Sequence, residues 1–150
     1  MTTIGFIGVG HMGGPMVRNL VAAGHSVSVF DLSEEALNFA VQSGAKAAAS
    51  AAEAVRGAEV GITMLPTGVE VAQALIDEGV MAAAAPGTLF IDSSTIDVET
   101  AQALHAAAAE AGMVMLDAPV SGGTGGAEAG TLAFMCGGAA DAFARARPIL

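Results

Sequence analysis

The sequence predicts an α/β fold: a doubly wound, mostly parallel sheet with helices on both faces. Three observations predict it. Strand-length apolar runs alternate with segments of helical composition along the whole chain, the order expected of βαβ units. The runs "TIGFIG", "EVGITMLP" and "GTLFIDSS" are continuously apolar rather than alternating, which marks parallel strands covered on both faces. A glycine-rich turn directly behind the first run adds the third.

In chain order, "TIGFIG" (Thr3–Gly8) is a short buried strand, and "MVRNLVAAG" is a helix ending at Gly24, glycine being the usual residue just past a helix. "SVSVFD" is a strand closing on Asp31. The following helix has Ser33 as N-cap, two glutamates in its first turn and Gly44 at its end. "KAAA", from Lys46, offers a short third strand. Ser50-Ala51-Ala52-Glu53 is a capping box, opening a short helix that stops near Gly57. "EVGITMLP" (Glu59–Pro66) is the next strand. A second capping box, Thr67-Gly68-Val69-Glu70, opens a helix through about Ile76. "GTLFIDSS" (Gly87–Ser94) is strand five, followed by the longest helix, with Asp97 or a neighbour as cap and Gly112 as stop. "MVMLDAP" (Met113–Pro119) is strand six, Val120 to Gly130 is a glycine-rich loop, "TLAFMCGG" is a seventh strand, and "DAFARARPIL" begins a helix.

Composition narrows the function. A chain of 150 residues is one domain by length, with room for a genuine core. It is 53% hydrophobic and 13% charged, with a mean hydropathy of +0.63. Charges or turn residues nevertheless interrupt every apolar stretch before the roughly 18 residues a spanning helix needs, so no membrane segment is expected. No basic region precedes an apolar core at the N-terminus, so no export signal is read and a cytoplasmic protein is expected. A net charge of −10 makes nucleic acid an improbable partner, and an anionic ligand must be held by local donors against the overall field. The single Cys136 excludes an internal disulfide and a Cys-based zinc site, and its apolar neighbours predict a buried thiol.

Gly8-Val9-Gly10-His11-Met12-Gly13 fits the G-x-G-x-x-G pattern. A strand precedes it, a helix follows it, and Asp31 ends the next strand 18 positions after Gly13, near the spacing of about 20 for a ribose-binding carboxylate. In that context Gly8 permits the tight turn, Gly10 leaves room for a pyrophosphate, and Gly13 lets the helix pack on the strand; His11 and Met12 lie within the turn. This is a Rossmann-type dinucleotide site. Asp31 would accept hydrogen bonds from the ribose hydroxyls and repel a 2′-phosphate, and Leu32 stands where an arginine would welcome one, so NAD is favoured over NADP.

The segments "GFIGVGHMGGPMVRNL", "VFDLS", "TMLPTGVEV", "IDSSTIDVETAQAL" and "LDAPVSGGTGGAEAGTLAFMCGG" together resemble the N-terminal domain of the 3-hydroxyisobutyrate dehydrogenases. These are β-hydroxyacid dehydrogenases, related to tartronate semialdehyde reductase and, more distantly, 6-phosphogluconate dehydrogenase. The resemblance runs through essentially the whole chain, and "DAPVSGG" (Asp117–Gly123) is its most specific element. It implies that Ser121, Gly122 and Gly123 hold the carboxylate of a small hydroxyacid, that Thr95 lies near the nicotinamide, and that Leu65 and Pro66 lie along the cofactor. Glu70 stands where some relatives have another cofactor contact, and as a capping residue it also has a structural role. Relatives that prefer NADP tend to carry Asn-Arg in place of Asp31-Leu32.

The family's proton acceptor is a lysine in a "G-x-x-x-K-x-x-N-N" segment. Here the only lysine is Lys46, read as a surface charge, and no "KxxNN" occurs. No catalytic residue is therefore expected in this chain. Residues 1–150 are read as the NAD-binding domain of a longer protein whose all-helical second domain supplies the lysine, most of the substrate selectivity and homo-oligomer contacts. The 150-residue chain should then bind NAD without turning over substrate, and should expose apolar surface prone to self-association. The implied reaction is oxidation of 3-hydroxyisobutyrate to methylmalonate semialdehyde, the valine-degradation step. The competing readings are a tartronate semialdehyde or glyoxylate-type reductase and a stand-alone NAD-binding module. His25 follows the helix-ending Gly24, where the negative end of the helix dipole favours it, His105 is mid-helix with no acidic or nucleophilic neighbour in sequence, and with His11 they make no catalytic or metal-binding set; Met12 and Met16 are read as packing.

Overall fold

A computed structural model describes residues 1–150. The elements are β1 (Thr3–Ile7), α1 (Gly13–Ala22), β2 (Ser26–Phe30), α2 (Glu34–Gln42), β3 (Lys46–Ala47), α3 (Ala51–Val55), β4 (Val60–Thr63) and α4 (Gly68–Ala72). A π-helical turn, Gln73–Asp77, follows, then α5 (Val80–Ala83), β5 (Leu89–Asp92), α6 (Val98–Glu110), β6 (Val114–Asp117), β7 (Val120–Ser121), α7 (Gly123–Ala129), β8 (Ala133–Phe134), β9 (Gly137–Gly138) and α8 (Ala140–Ala146). The main sheet has the order β3-β2-β1-β4-β5-β6-β9. All pairs are parallel except β6 with β9. The predicted doubly wound α/β architecture is the observed one. Strand order reverses between β1 and β4, and such a switch point opens a crevice at the carboxyl ends of the strands.

The continuous apolar strands feed two cores. On one face Ile4, Phe6, Val27, Val29, Ile62, Leu89, Ile91 and Leu116 meet Met16, Val17 and Leu20 of α1, Ala40 of α2, and Ala142 and Ala146 of α8. On the other, Ile7, Phe90 and Met115 meet Val55 of α3, Val71 of α4, Leu75, Val80 and Met81, and Leu104 and Ala108 of α6. The second face is built for close approach: a methyl on Gly5 would lie 2.5 Å from the Ala54 carbonyl oxygen. The caps are those expected. Ser33 Oγ accepts from the Ala36 amide, Ser50 Oγ from Glu53, Thr67 Oγ1 from Val69, and Asp97 Oδ2 from Thr100. No helix is long and apolar enough to cross a membrane.

Three segments depart from the sequence-based expectation. The loop expected from Val120 to Gly130 contains β7 and the helix α7. Three glycines make α7 a poor helix on propensity, but tertiary contacts hold it: Ala127 is buried, Asn19 Nδ2 donates to the Ala127 carbonyl at 2.8 Å, and Arg18 donates to that of Glu128 at 3.0 Å. The expected seventh strand is broken in two. Its first half pairs with β7 in a separate ladder, while Gly137–Gly138 pairs with β6, where a side chain on Gly137 would strike the Asp117 carboxylate at 2.8 Å. Finally, the helix expected to end near Ile76 widens into the π-helical turn, and α5 follows Gly79. Cys136, expected buried, is half-buried.

Candidate functional site

A cleft of about 570 Å³ opens at the switch point. Gly8, Gly10, His11, Met12 and Gly13 of the β1–α1 turn form one wall, and Asp31 and Leu32, at the end of β2, form a second. Leu65, Pro66 and Glu70, from the end of β4 and the start of α4, close it. These ten predicted residues therefore meet in one place. Thr95 lies beyond the end of β5, exposed, and exposed Ser121, Gly122 and Gly123 follow β6. All four belong to the same carboxyl edge of the sheet but do not line this cleft.

The three glycines differ in what surrounds them. Gly8 has φ +93°, and a side chain there would meet the Met64 carbonyl oxygen at 2.2 Å. A methyl on Gly13 would lie 1.9 Å from the Gly8 carbonyl oxygen, so α1 reaches the turn only because Gly13 has none. Gly10 is different: nothing lies within 4 Å of where its Cβ would be, so the space it leaves faces the cleft rather than the protein.

The start of α1 stands apart from those of α2, α3, α4 and α6. Met12 at its N-cap makes no side-chain cap bond, and its first turn holds no acidic residue, whereas the other four are capped by Ser33, Ser50, Thr67 and Asp97 and carry a glutamate in the first turn. The Gly14 amide already donates to the Gly10 carbonyl and Pro15 has none, but the amides of Gly10, His11, Met12 and Gly13 have no partner in the chain; with the positive end of the helix dipole they are a local donor set for an anion in an acidic protein. Asp31 faces it. Its Oδ2 accepts from the Val9 amide at 2.9 Å and its Oδ1 from the Ser33 amide at 2.8 Å. The carboxylate is thereby tied to the glycine turn, a bond across 22 positions that spacing could not reveal, and each oxygen keeps a lone pair for a ribose hydroxyl.

Glu70 accepts a hydrogen bond from the Thr67 hydroxyl at the start of α4, which holds its carboxyl below the usual range, and it is among the residues lining the cleft. The sequence reading missed Gln73 and Glu78, which also line it. Gln73 sits three positions after Glu70, on the same helical side, and that periodicity was the available signal. Lys46 is exposed on β3, as expected of a surface charge. His105, which has no acidic neighbour in sequence, has one in space: its Nε2 lies 2.8 Å from Asp117 Oδ1.

A buried network joins the turns after β4 and β5. Thr63 Oγ1 and the Ser94 amide donate to Asp92 Oδ1 at 2.8 and 3.1 Å, and Ser94 Oγ accepts from the Leu65 amide at 2.9 Å. Asp92 is 1% exposed and its Oδ2 has no partner. Burial pushes its carboxyl above the ordinary value of 3.8, the bonds from Ser94 and Thr63 offset this in part, and nearby Asp117 adds to it. With the folded value raised, the stability this carboxyl contributes is full below the ordinary value and is lost as pH rises through the raised one. Asp92→Asn, which cannot titrate, is therefore expected to gain on the wild type as pH rises through that window, while Asp92→Ala strands two donors and costs about 2–4 kcal/mol. Urea midpoints of the three proteins from pH 4 to 8 check this; parallel wild-type and Asn profiles would sink the assignment.

Comparison with known proteins agrees with this geometry. A family model described as the NAD binding domain of 6-phosphogluconate dehydrogenase matches residues 3–150. The chain is 54% identical to a 3-hydroxyisobutyrate dehydrogenase of Pseudomonas aeruginosa over 151 residues, covering 100% of this chain and 51% of that protein. It is 53% identical to the NAD-dependent L-serine dehydrogenase of the same organism over 150 residues, covering 99% of this chain and 50% of the relative. The solved structure of Mycobacterium tuberculosis 3-hydroxyisobutyrate dehydrogenase with L-serine superposes with a TM-score of 0.97 at 55% identity, over 100% of this chain and 51% of that one. The chain spans about half the length of these relatives. An uncapped helix start above a glycine turn, an anchored carboxylate opposite, and a family match over residues 3–150 converge: this chain belongs to the family of NAD-binding domains of 6-phosphogluconate dehydrogenase.

Proposed function

We propose that this chain is the cofactor-binding half of an NAD-dependent dehydrogenase of small β-hydroxyacids, with 3-hydroxyisobutyrate as substrate and methylmalonate semialdehyde as product in valine degradation. The observation that carries the reading is the bare, acid-free start of α1 facing the anchored Asp31 carboxylate across one cleft. When bound, the nicotinamide accepts a hydride from the alcohol carbon. The free amides of the glycine turn, from Gly10 to Gly13, hold the pyrophosphate, the open space at Gly10 admits it, Asp31 accepts from the ribose hydroxyls, and Leu32, Leu65, Pro66 and Glu70 flank the dinucleotide. Thr95 lies beside the nicotinamide, and the Ser121 hydroxyl with the amides of Gly122 and Gly123 holds the substrate carboxylate. The proton acceptor belongs to an all-helical second domain that carries a lysine and completes a cytoplasmic homo-oligomer.

L-Serine is the second substrate to test, because a relative at 53% identity is an NAD-dependent L-serine dehydrogenase. Both molecules are 3-hydroxy carboxylates and differ at the carbon between the two groups.

Calorimetric titration of the chain with NADH and with NADPH tests the cofactor half of the proposal. Saturable NADH binding, with NADPH at least about tenfold weaker, is expected, since a 2′-phosphate would meet Asp31 and no cation lies nearby to offset the repulsion. Equal affinity for the two would overturn the role of Asp31, and binding of neither would remove the cleft from consideration. For the complete enzyme, kcat/KM for 3-hydroxyisobutyrate against L-serine decides the substrate.

A further inference from the structure

Part of the cofactor cleft is lined by exposed side chains rich in hydrogen-bond acceptors. Glu70, Gln73 and Glu78 line it, and no lysine or arginine does. Leu32, 93% exposed with its apolar side chain uncovered, and Ala74, which is buried, also belong to the lining. Apolar surface of this kind suits the face of a flat aromatic base.

The π-helical turn is what brings Gln73 and Glu78 together. The Glu78 amide donates to the Gln73 carbonyl at 2.8 Å, a five-residue step. In α geometry a residue five places on lies about 140° further round the axis, facing away. The wider turn swings Glu78 back beside Gln73, and Gln73 Nε2 donates to Glu78 Oε1 at 3.1 Å. That bond orients the carboxamide. One N–H of its amide is engaged by Glu78, and its oxygen, which has no partner in the chain, is left as an acceptor. Single π-turns of this kind occur often at functional sites because they aim a side chain that regular helix would misdirect.

We propose that Gln73, held by Glu78, selects the adenine base of the cofactor by accepting a hydrogen bond from its exocyclic amine. This inference rests on the cleft being the dinucleotide site. Adenine offers a donor at that position, whereas hypoxanthine offers a carbonyl oxygen, which would confront Gln73 Oε1 and the carboxylates of Glu70 and Glu78 unless the Gln73 amide gave up its bond to Glu78 and turned round. The site therefore reads two features of the cofactor with acceptors alone: the ribose hydroxyls through Asp31 and the base amine through Gln73.

The test compares binding of NADH and reduced nicotinamide hypoxanthine dinucleotide by the 150-residue chain, measured by calorimetry. The wild type is expected to bind NADH about tenfold more tightly, the scale of one hydrogen bond exchanged for an unpaired acceptor. In Gln73→Ala that ratio is expected to fall to about two, with NADH weakened and the hypoxanthine analogue unchanged or improved. Gln73→Met, of similar length but without an oriented amide, should behave as Gln73→Ala does, which guards against a disturbed turn in the smaller variant. Equal affinities in the wild type, or a ratio that survives both substitutions, would overturn the role of Gln73 while leaving the cofactor site intact. Failure of NADH itself to bind would overturn the cofactor site and this inference with it.

Discussion

Gly13→Ala is expected to destabilise the chain by roughly 3 kcal/mol or more and to lower its melting temperature by about 10 °C. The added methyl would lie 1.9 Å from the carbonyl oxygen of Gly8. That oxygen is backbone in a turn already pinned by the Gly8 amide bond to Phe30 and the Val9 amide bond to Asp31, so it has nowhere to retreat. Either α1 lifts from β1, opening the core around Met16, Val17 and Leu20, or the turn distorts and the amides at the start of α1 lose their aim. Both routes abolish NADH binding. Gly10→Ala is the informative control, because its methyl meets nothing within 4 Å. It should melt within about 1 kcal/mol of the wild type yet bind NADH markedly more weakly, since only the ligand needs that space. Thermal melts and NADH titrations of the two variants separate packing from ligand clearance. A Gly13→Ala protein that melts like the wild type would contradict the geometry.

Asp31→Ala is expected to weaken NADH binding about 10- to 100-fold, the range spanned by losing one or two hydrogen bonds to a charged acceptor. The apo protein should lose stability too, because the Val9 and Ser33 amides lose their acceptor. Asp31→Asn keeps an acceptor oxygen and removes the charge. It should therefore recover part of the NADH affinity and narrow the gap between NADH and NADPH. Unchanged NADH affinity in Asp31→Ala would remove the carboxylate from ribose recognition, whatever the fate of the glycine turn.

The legible part of the fold was the part whose signals are local. Continuous apolar strands, capping residues at Ser33, Ser50, Thr67 and Asp97, and glycine stops at Gly24, Gly44 and Gly112 act within a turn or two of their own position, and the structure follows them. The first half of the site was legible for a related reason. The glycine turn and Asp31 belong to one βαβ unit, in which strand and helix lengths bring a fixed spacing in sequence to a fixed place in space.

What sequence could not supply lies where partners distant in the chain overrule local preference. α7 is helical in spite of its glycines because α1, more than a hundred residues earlier, donates to its carbonyls through Arg18 and Asn19. The expected seventh strand breaks where the Asp117 carboxylate leaves no room for a side chain, so that Gly137 and Gly138 alone join the main sheet. His105 has no acidic neighbour within its helix and finds Asp117 only when β6 returns beside α6.

Fold class and the dinucleotide turn were thus determined by sequence itself, because hydrophobic continuity, capping and glycine spacing are properties of adjacent residues. Tertiary structure alone decided that Asp31 anchors the glycine turn and that a π-helical turn pairs Gln73 with Glu78 at the cleft. It also decided that the turns after β4 and β5 are joined through buried Asp92. The physical reason is that a hydrogen bond between groups 20 or 30 positions apart has no periodicity to announce it, and exists only once the sheet has brought its strand ends together.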